Sequence, residues 1–178
     1  MSWFRQIFGG ASDMVTLTAG KAAPDFSLTT LDGKAFTLKD ALTHGPVVLA
    51  FFKVSCPTCQ YAFPFYERLF HSYKNKGVTL MGVSQNEARD TAAFAKEFGV
   101  TFPILLDDTA SYPVSNAYGL TNVPTLFWIA QDGEIEVSSI GWVKSDYEAV
   151  GRKLAETGKV PPTALFKPGE EVRDYKAG

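Results

Sequence analysis

A chain of 178 residues, 46% hydrophobic and 20% charged, is long enough to fill one core and has the composition of a folded globular domain, not of a disordered or fibrous chain. Its 17 basic and 19 acidic side chains are interspersed and leave a net charge of −2, which removes the electrostatic reason to expect nucleic acid or anionic lipid as a partner. No stretch reaches the roughly 20 apolar residues of a membrane-spanning helix.

Residues 1–19 read as an N-terminal extension. Trp3, Phe4, Ile7 and Phe8 fit one side of an amphipathic turn, but Arg5 and Gln6 interrupt the run. It falls short of the roughly 7–15 apolar residues of a signal peptide, so a cytoplasmic location is the expectation. A single domain is expected over 20–158. FSLTTLDGKAFTL (26–38) alternates around Asp32-Gly33, a pair suited to a type I′ turn, and predicts an N-terminal β-hairpin. PVVLAFF (46–52) is a continuous apolar run, as a central buried strand requires. From Pro57 to about Lys74, Phe63, Tyr66, Leu69, Phe70 and Tyr73 recur at helical spacing, with Pro57 in the first turn.

VTLMGVS (78–84) is the next buried strand, followed by an amphipathic helix over 86–99 with Asn86 as N-cap and Gly99 as stop. FPILLD (102–107) predicts a strand, and SYPVSNAYG (111–119) a short helix or turn interrupted by Pro113. PTLFWI (124–129), Asp132-Gly133 and EIEVSSIG (134–141) form a second hairpin, and KSDYEAVGRKLAETG (144–158) a closing helix. Strand and helix signals alternate, the pattern of an α/β fold with a central sheet flanked by helices. The segment 159–178 turns to Pro, Gly and charge, yet keeps Leu165, Phe166 and Tyr175; it is expected to lie extended over the domain. No unpaired apolar stripe is visible, and a monomer is expected.

Both cysteines fall in VVLAFFKVSCPTCQ, between the buried strand and the helix. Two cysteines make no disulfide framework. A zinc site needs about four ligands, and the only histidines, His44 and His71, read as surface residues near helix ends, so no metal is expected. Cys56 is instead placed at a helix N-terminus, where unpaired N–H groups and the helix dipole favour a thiolate. Cys59 lies one turn on, within disulfide reach and partly shielded. That asymmetry makes Cys56 the attacking thiol and Cys59 the resolving one. The plainer alternative is a pair of buried cysteines acting as small hydrophobes. Pro124, at the entrance of an apolar strand, cannot donate a ladder hydrogen bond. It fits either a trans start to an edge strand or a cis bond that leaves the Val123 carbonyl free to pair with a substrate backbone.

Several stretches together, AAPDFSLTTLDGKAFTL, VVLAFFKVSCPTC, Pro64, FPILLD, YGLTNVPTLFWI and DGEIEVSSIG, resemble the thioredoxin superfamily, in its TlpA-like/redoxin (AhpC-TSA-like) branch of thiol-disulfide oxidoreductases. The resemblance covers about residues 20–157. It implies a thioredoxin-like fold with a mixed central sheet and a strand–helix unit inserted over 78–120. It also implies a nucleophilic Cys56, a resolving Cys59, and a cis Pro124 that lines a substrate groove with Val123, Pro57 and Thr58. Ser55 stands where the family often has Trp, and Ala50 and Ala62 stand where its members place buried acids. Glu67, two turns along the helix, is expected to point elsewhere. Lys53 reads as a strand-end lysine reaching solvent, able to lower the Cys56 pKa only if it faces the site.

The resulting expectation is a disulfide oxidoreductase, a reductase by preference, acting on protein or small-molecule disulfides, fed by an upstream dithiol donor and needing no bound cofactor. Two alternatives stand beside it. A peroxidase of the Pro-x-x-x-Thr-x-x-Cys type finds Leu49 and Lys53 at its Pro and Thr positions counted from Cys56, and Phe52 and Cys56 counted from Cys59. A Cu(I) carrier would use both thiolates, but neither His44 nor His71 is an evident third ligand.

Overall fold

The computed structural model describes residues 14–178; the amphipathic turn expected at Trp3, Phe4, Ile7 and Phe8 lies outside them. The apolar run VVLAFF forms β3 (Val47–Phe52), with all six residues buried. Alternate side chains serve two cores: Val48, Ala50 and Phe52 point into one, and Val47, Leu49 and Phe51 into the other. This is why the run lacks polar alternation: a strand covered on both faces has no solvent side.

Around β3 the sheet is mixed. Strand β4 (Thr79–Ser84) pairs with it in parallel and β6 (Thr125–Ile129) antiparallel, with Ala50 opposite Gly82 on one side and Leu126 on the other. Beyond β4 lie β5 (Ile104–Leu106), β1 (Ser27–Thr30) and β2 (Ala35–Thr37); beyond β6 lies β7 (Ile135–Ile140). The seven strands run in the order β2-β1-β5-β4-β3-β6-β7.

The larger core packs α2 (Pro57–Tyr73), α3 (Ala88–Glu97) and α5 (Lys144–Gly158) on one face. The other face carries α1 (Leu38–His44) and α4 (Pro113–Ala117). Helix α1 is absent from the sequence expectation: seven residues are too few for periodicity to show, and its N-cap Thr37 ends a strand. The Asp32-Gly33 hairpin exists, but only Gly33 has positive φ (+86°), so the turn is not type I′. Thr30 fixes it instead, accepting from Lys34 N–H through Oγ1 and from Gly33 N–H through its carbonyl.

Asn86 does not cap α3; Glu87 occupies that position without a side-chain bond to the helix start. The Asn86 Oδ1 accepts from Val54 N–H at 3.0 Å, tying down the loop that leads to Cys56.

The segment after α5 is docked along α2. Arg68 forms a two-pronged ion pair with Glu170 (2.6 and 2.7 Å) and donates to the Leu165 carbonyl. Arg173 N–H donates to the Tyr61 hydroxyl, and the Trp142 indole N–H to the Arg173 carbonyl at 2.6 Å. The segment ends as a second small sheet: β8 (Trp142–Val143) pairs antiparallel with β9 (Tyr175–Lys176). Gly141 permits this approach, since a Cβ there would lie 2.7 Å from the Lys176 carbonyl oxygen.

Candidate active site

Strand β3 delivers the chain to the carboxyl edge of the sheet, where Lys53–Ser55 turn it into α2. Three bonds hold that turn: Val54 N–H to Asn86, the Gln60 side-chain amide to the Val54 carbonyl at 3.0 Å, and Cys56 N–H to the Lys53 carbonyl at 3.2 Å. Cys56 is the N-cap of α2. Its Sγ accepts from Cys59 N–H at 3.2 Å, satisfying one of the donors that a helix start leaves unpaired. Pro57 follows at the first helical position, where a missing N–H costs nothing.

The two thiols sit in different surroundings. Cys56 is partly exposed and Cys59 fully buried, and both are free. Hydrogen bonding from the Cys59 thiol, joined by the N–H groups of Cys59 and Thr58 and the charge of Lys176, outweighs desolvation and lowers Cys56 to about 6. Burial, and then the same bond to Cys56, push Cys59 far above the ordinary thiol range. One sulfur is thus a thiolate at neutral pH and its neighbour holds its proton, as an attacking and a resolving thiol require.

The Val123–Pro124 bond is cis, and it brings the Val123 carbonyl to 3.2 Å from Cys56 Sγ. While Cys56 is protonated its thiol donates to that carbonyl; the thiolate has no proton to give, so ionisation releases the carbonyl. The loop is braced by Thr125 Oγ1 donating to the Asn122 carbonyl and by Gly141 N–H donating to the Pro124 carbonyl. Pro57 is exposed at the mouth of the site, whereas Thr58 is buried beneath the docked segment. Lys176 Nζ donates to Thr58 Oγ1 at 2.6 Å, and that hydroxyl donates to the Ala177 carbonyl. Thr58 is thus turned towards the segment and away from the groove.

Lys176 was not visible in the sequence as a site residue, because 118 positions separate it from Thr58. Lys53 lies instead over the Tyr112 ring, 5.5 Å from its centroid. Among the described residues no acid replaces the missing pair. Ala50 and Ala62 are buried, and Glu67 accepts from Thr101 N–H and pairs with His71 at 2.9 Å. Among the described residues no three His, Cys, Asp or Glu side chains gather as metal ligands, and no helix is long and apolar enough to cross a membrane.

The lowered Cys56 pKa sets a pH profile. Alkylation of the reduced protein by iodoacetamide at Cys56 is expected to rise with a midpoint near pH 6, against about 8.5 for a free cysteine. Lys176→Met moves the midpoint up, and modestly, because hydrogen bonds and not the lysine charge dominate the shift. The same shift stabilises the reduced fold. A pKa lowered on folding adds stability that is fully present above the ordinary thiol value and is lost as pH falls through about 6.

The AhpC/TSA family model matches residues 19–138. The thiol-disulfide oxidoreductase ResA of Geobacillus kaustophilus is 34% identical over 139 residues, 77% of this chain and 78% of that protein. Among solved structures, a candidate thiol:disulfide interchange protein DsbE from Chlorobium tepidum superposes with a TM-score of 0.69 at 26% identity, covering 80% of this chain and 99% of the other. MTB DsbF, in mixed oxidised and reduced forms, gives 0.63 at 27% identity over 74% and 94% of the two chains. A thiolate-prone Cys56 beside a shielded Cys59 is the chemistry those names describe, and the chain belongs to the AhpC/TSA family, within its thioredoxin-like thiol-disulfide oxidoreductases.

Proposed function

We propose that the protein works as a reductase, passing two electrons from its dithiol to a disulfide. The observation that supports exchange chemistry most is a partly exposed Cys56 beside a buried Cys59 at one helix N-terminus, their pKa values displaced in opposite directions; the direction of electron flow is what the titration below tests. The Cys56 thiolate attacks one sulfur of the substrate disulfide; the S–S bond breaks and one thiolate leaves. Cys59 then loses its proton and attacks the Cys56 sulfur, releasing the second thiolate and closing the Cys56–Cys59 disulfide. A dithiol donor must reduce that disulfide before the next cycle. No bound cofactor enters, because the cysteines carry the electrons. Val123, cis-Pro124 and Pro57 line the approach, and Thr58 acts through its backbone N–H on Cys56 and its clamp to the docked segment. The same proposal includes disulfides of proteins or small molecules as substrates, a monomer, and a cytoplasmic location.

A redox titration combined with insulin-disulfide reduction tests the direction. The reading predicts a single two-electron transition near the thioredoxin value of roughly −270 mV, with turnover. A midpoint near that of a strong oxidant, roughly −120 mV, would reverse the assignment.

A further inference from the structure

One concave feature beside Cys56 has no part in the exchange chemistry. A cavity of about 200 Å³ opens at the carboxyl edge of β3 and β4, walled by Lys53, Gln85, Tyr112, Asn116, Asn122 and Val123. Crevices outside the carboxyl ends of parallel strands are where α/β sheets hold ligands. Two of its walls touch the reactive cysteine directly: the Lys53 carbonyl accepts from Cys56 N–H and the Val123 carbonyl from Cys56 Sγ. The volume lies below the roughly 300–1,000 Å³ of sites that enclose drug-sized ligands, so it suits one small group.

The wall chemistry selects which group. Lys53 has no carboxylate partner among the described residues, and its ammonium is steadied over the Tyr112 ring. The remaining polar lining consists of amides and hydroxyls, with no acid. Gln85 is fixed from behind. Asp107 accepts from Ser115 Oγ at 2.7 Å, which commits that proton, and Ser115 Oγ accepts from Gln85 Nε2 at 2.8 Å. Nε2 is thereby held against the wall, and Gln85 Oε1 has no protein donor among the described residues. A cation with no acid beside it matches a short arm bearing a carboxylate; the Gln85 carbonyl oxygen, itself an acceptor, gives that carboxylate no bond.

The peptide-facing side of the loop is occupied. Asn122 Nδ2 donates to the Gly178 carbonyl, and Gly178 packs so tightly on Val123 that a Cβ there would lie 2.4 Å from the Val123 carbonyl oxygen. An extended polypeptide pairing with Val123 would have to displace residues 176–178, whereas a small disulfide need not.

Resting on the reductase reading above, we infer that the Lys53–Gln85 cavity seats the non-reacting arm of a low-molecular-weight disulfide that carries a carboxylate. Cys56 attacks the sulfur of the seated half, forming Cys56–S–R and releasing RS⁻, which takes a proton from water. Cys59 releases the seated RS⁻ as the protein disulfide forms, so one RSSR and the protein dithiol yield two RSH.

The test uses three disulfides of similar size and different charge: 3,3′-dithiodipropionate, 2-hydroxyethyl disulfide and cystamine. Rates with the reduced full chain are normalised to those of dithiothreitol with each disulfide, which removes intrinsic reactivity. The normalised preference is expected to favour dithiodipropionate over cystamine by about fivefold, the scale of a half-exposed charge pair. Lys53→Arg should keep that preference and Lys53→Glu invert it. Equal normalised rates in the wild type, or a preference that survives Lys53→Glu, would overturn the cavity assignment alone. Failure to reduce any of the three would instead remove the reductase reading beneath it.

Discussion

Cys56→Ser is expected to lower disulfide reduction by roughly a thousandfold or more, because the other thiol of the site, Cys59, is buried and holds its proton. Cys59→Ser is expected to stop turnover differently. Attack by Cys56 persists, but the mixed disulfide has no internal thiol to release it. The wild type should also show part of this behaviour. Cys59 has its pKa raised by burial, and the positions where relatives place acids hold Ala50 and Ala62. Resolution must therefore expel a proton from an apolar pocket without a carboxylate to receive it. The second step is expected to limit the rate, with a mixed disulfide visible in the steady state by acid quench and mass analysis. Single-turnover kinetics check this: substrate thiol should appear in a fast first phase and a slower second phase of equal amplitude.

The second large effect concerns the frame around the site. Trp142 is fully buried, with its ring centroid 4.4 Å from that of Tyr147, 4.7 Å from Phe65 and 5.4 Å from Tyr61. Its backbone pairs with Lys176 and its indole N–H binds the Arg173 carbonyl. Trp142→Ala should cost about 3–5 kcal/mol, as other truncations of large buried aromatics do. Trp142→Phe keeps an aromatic ring and loses chiefly the hydrogen bond, for about 1 kcal/mol. Urea denaturation of the reduced protein gives both values. Amide exchange at 173–177 should accelerate in Trp142→Ala well beyond the global change, because the segment loses its strand partner's anchor as well as its core contact. Equal protection of 173–177 in both variants would show that the contacts independent of the Trp142 ring, Arg68–Glu170, Tyr61–Arg173 and Lys176–Thr58 among them, suffice to dock it.

How much of this was legible beforehand depended on distance along the chain. The long elements were readable because their signals are local: an unbroken apolar run for β3, helical spacing from Phe63 to Tyr73, Asp-Gly turns in both hairpins. The closing helix matches its expected span of 144–158. Cys56 and Cys59 could be read because their spacing between a buried strand and a helix restricts the local geometry; the local sequence left Pro124 open between trans and cis, and the cis bond was what the family resemblance implied. What escaped the sequence comes from tertiary contact. Asn86 looked like a helix cap because it precedes α3, but its oxygen serves Val54, 32 positions away. Lys176 sits in a Pro- and Gly-rich segment with no periodicity, and its strand β9 is two residues long. Neither burial pattern nor propensity marks such a residue; only the docking of the segment on Trp142 and Tyr61 brings it to Thr58. The structure places the Val123 carbonyl beside Cys56, and its bond to the protonated Cys56 thiol depends on a distance no sequence pattern encodes.

The central claim is that Cys56 is the thiol that forms the covalent bond to substrate, and trapping tests it most directly. Reduced Cys59→Ser protein is mixed with a disulfide substrate, quenched in acid and digested, and the adduct is located by peptide mass spectrometry. A stoichiometric mixed disulfide on Cys56, absent from a Cys56→Ser/Cys59→Ser control, is the predicted result. No adduct at Cys56, or undiminished turnover in Cys56→Ser, would contradict it.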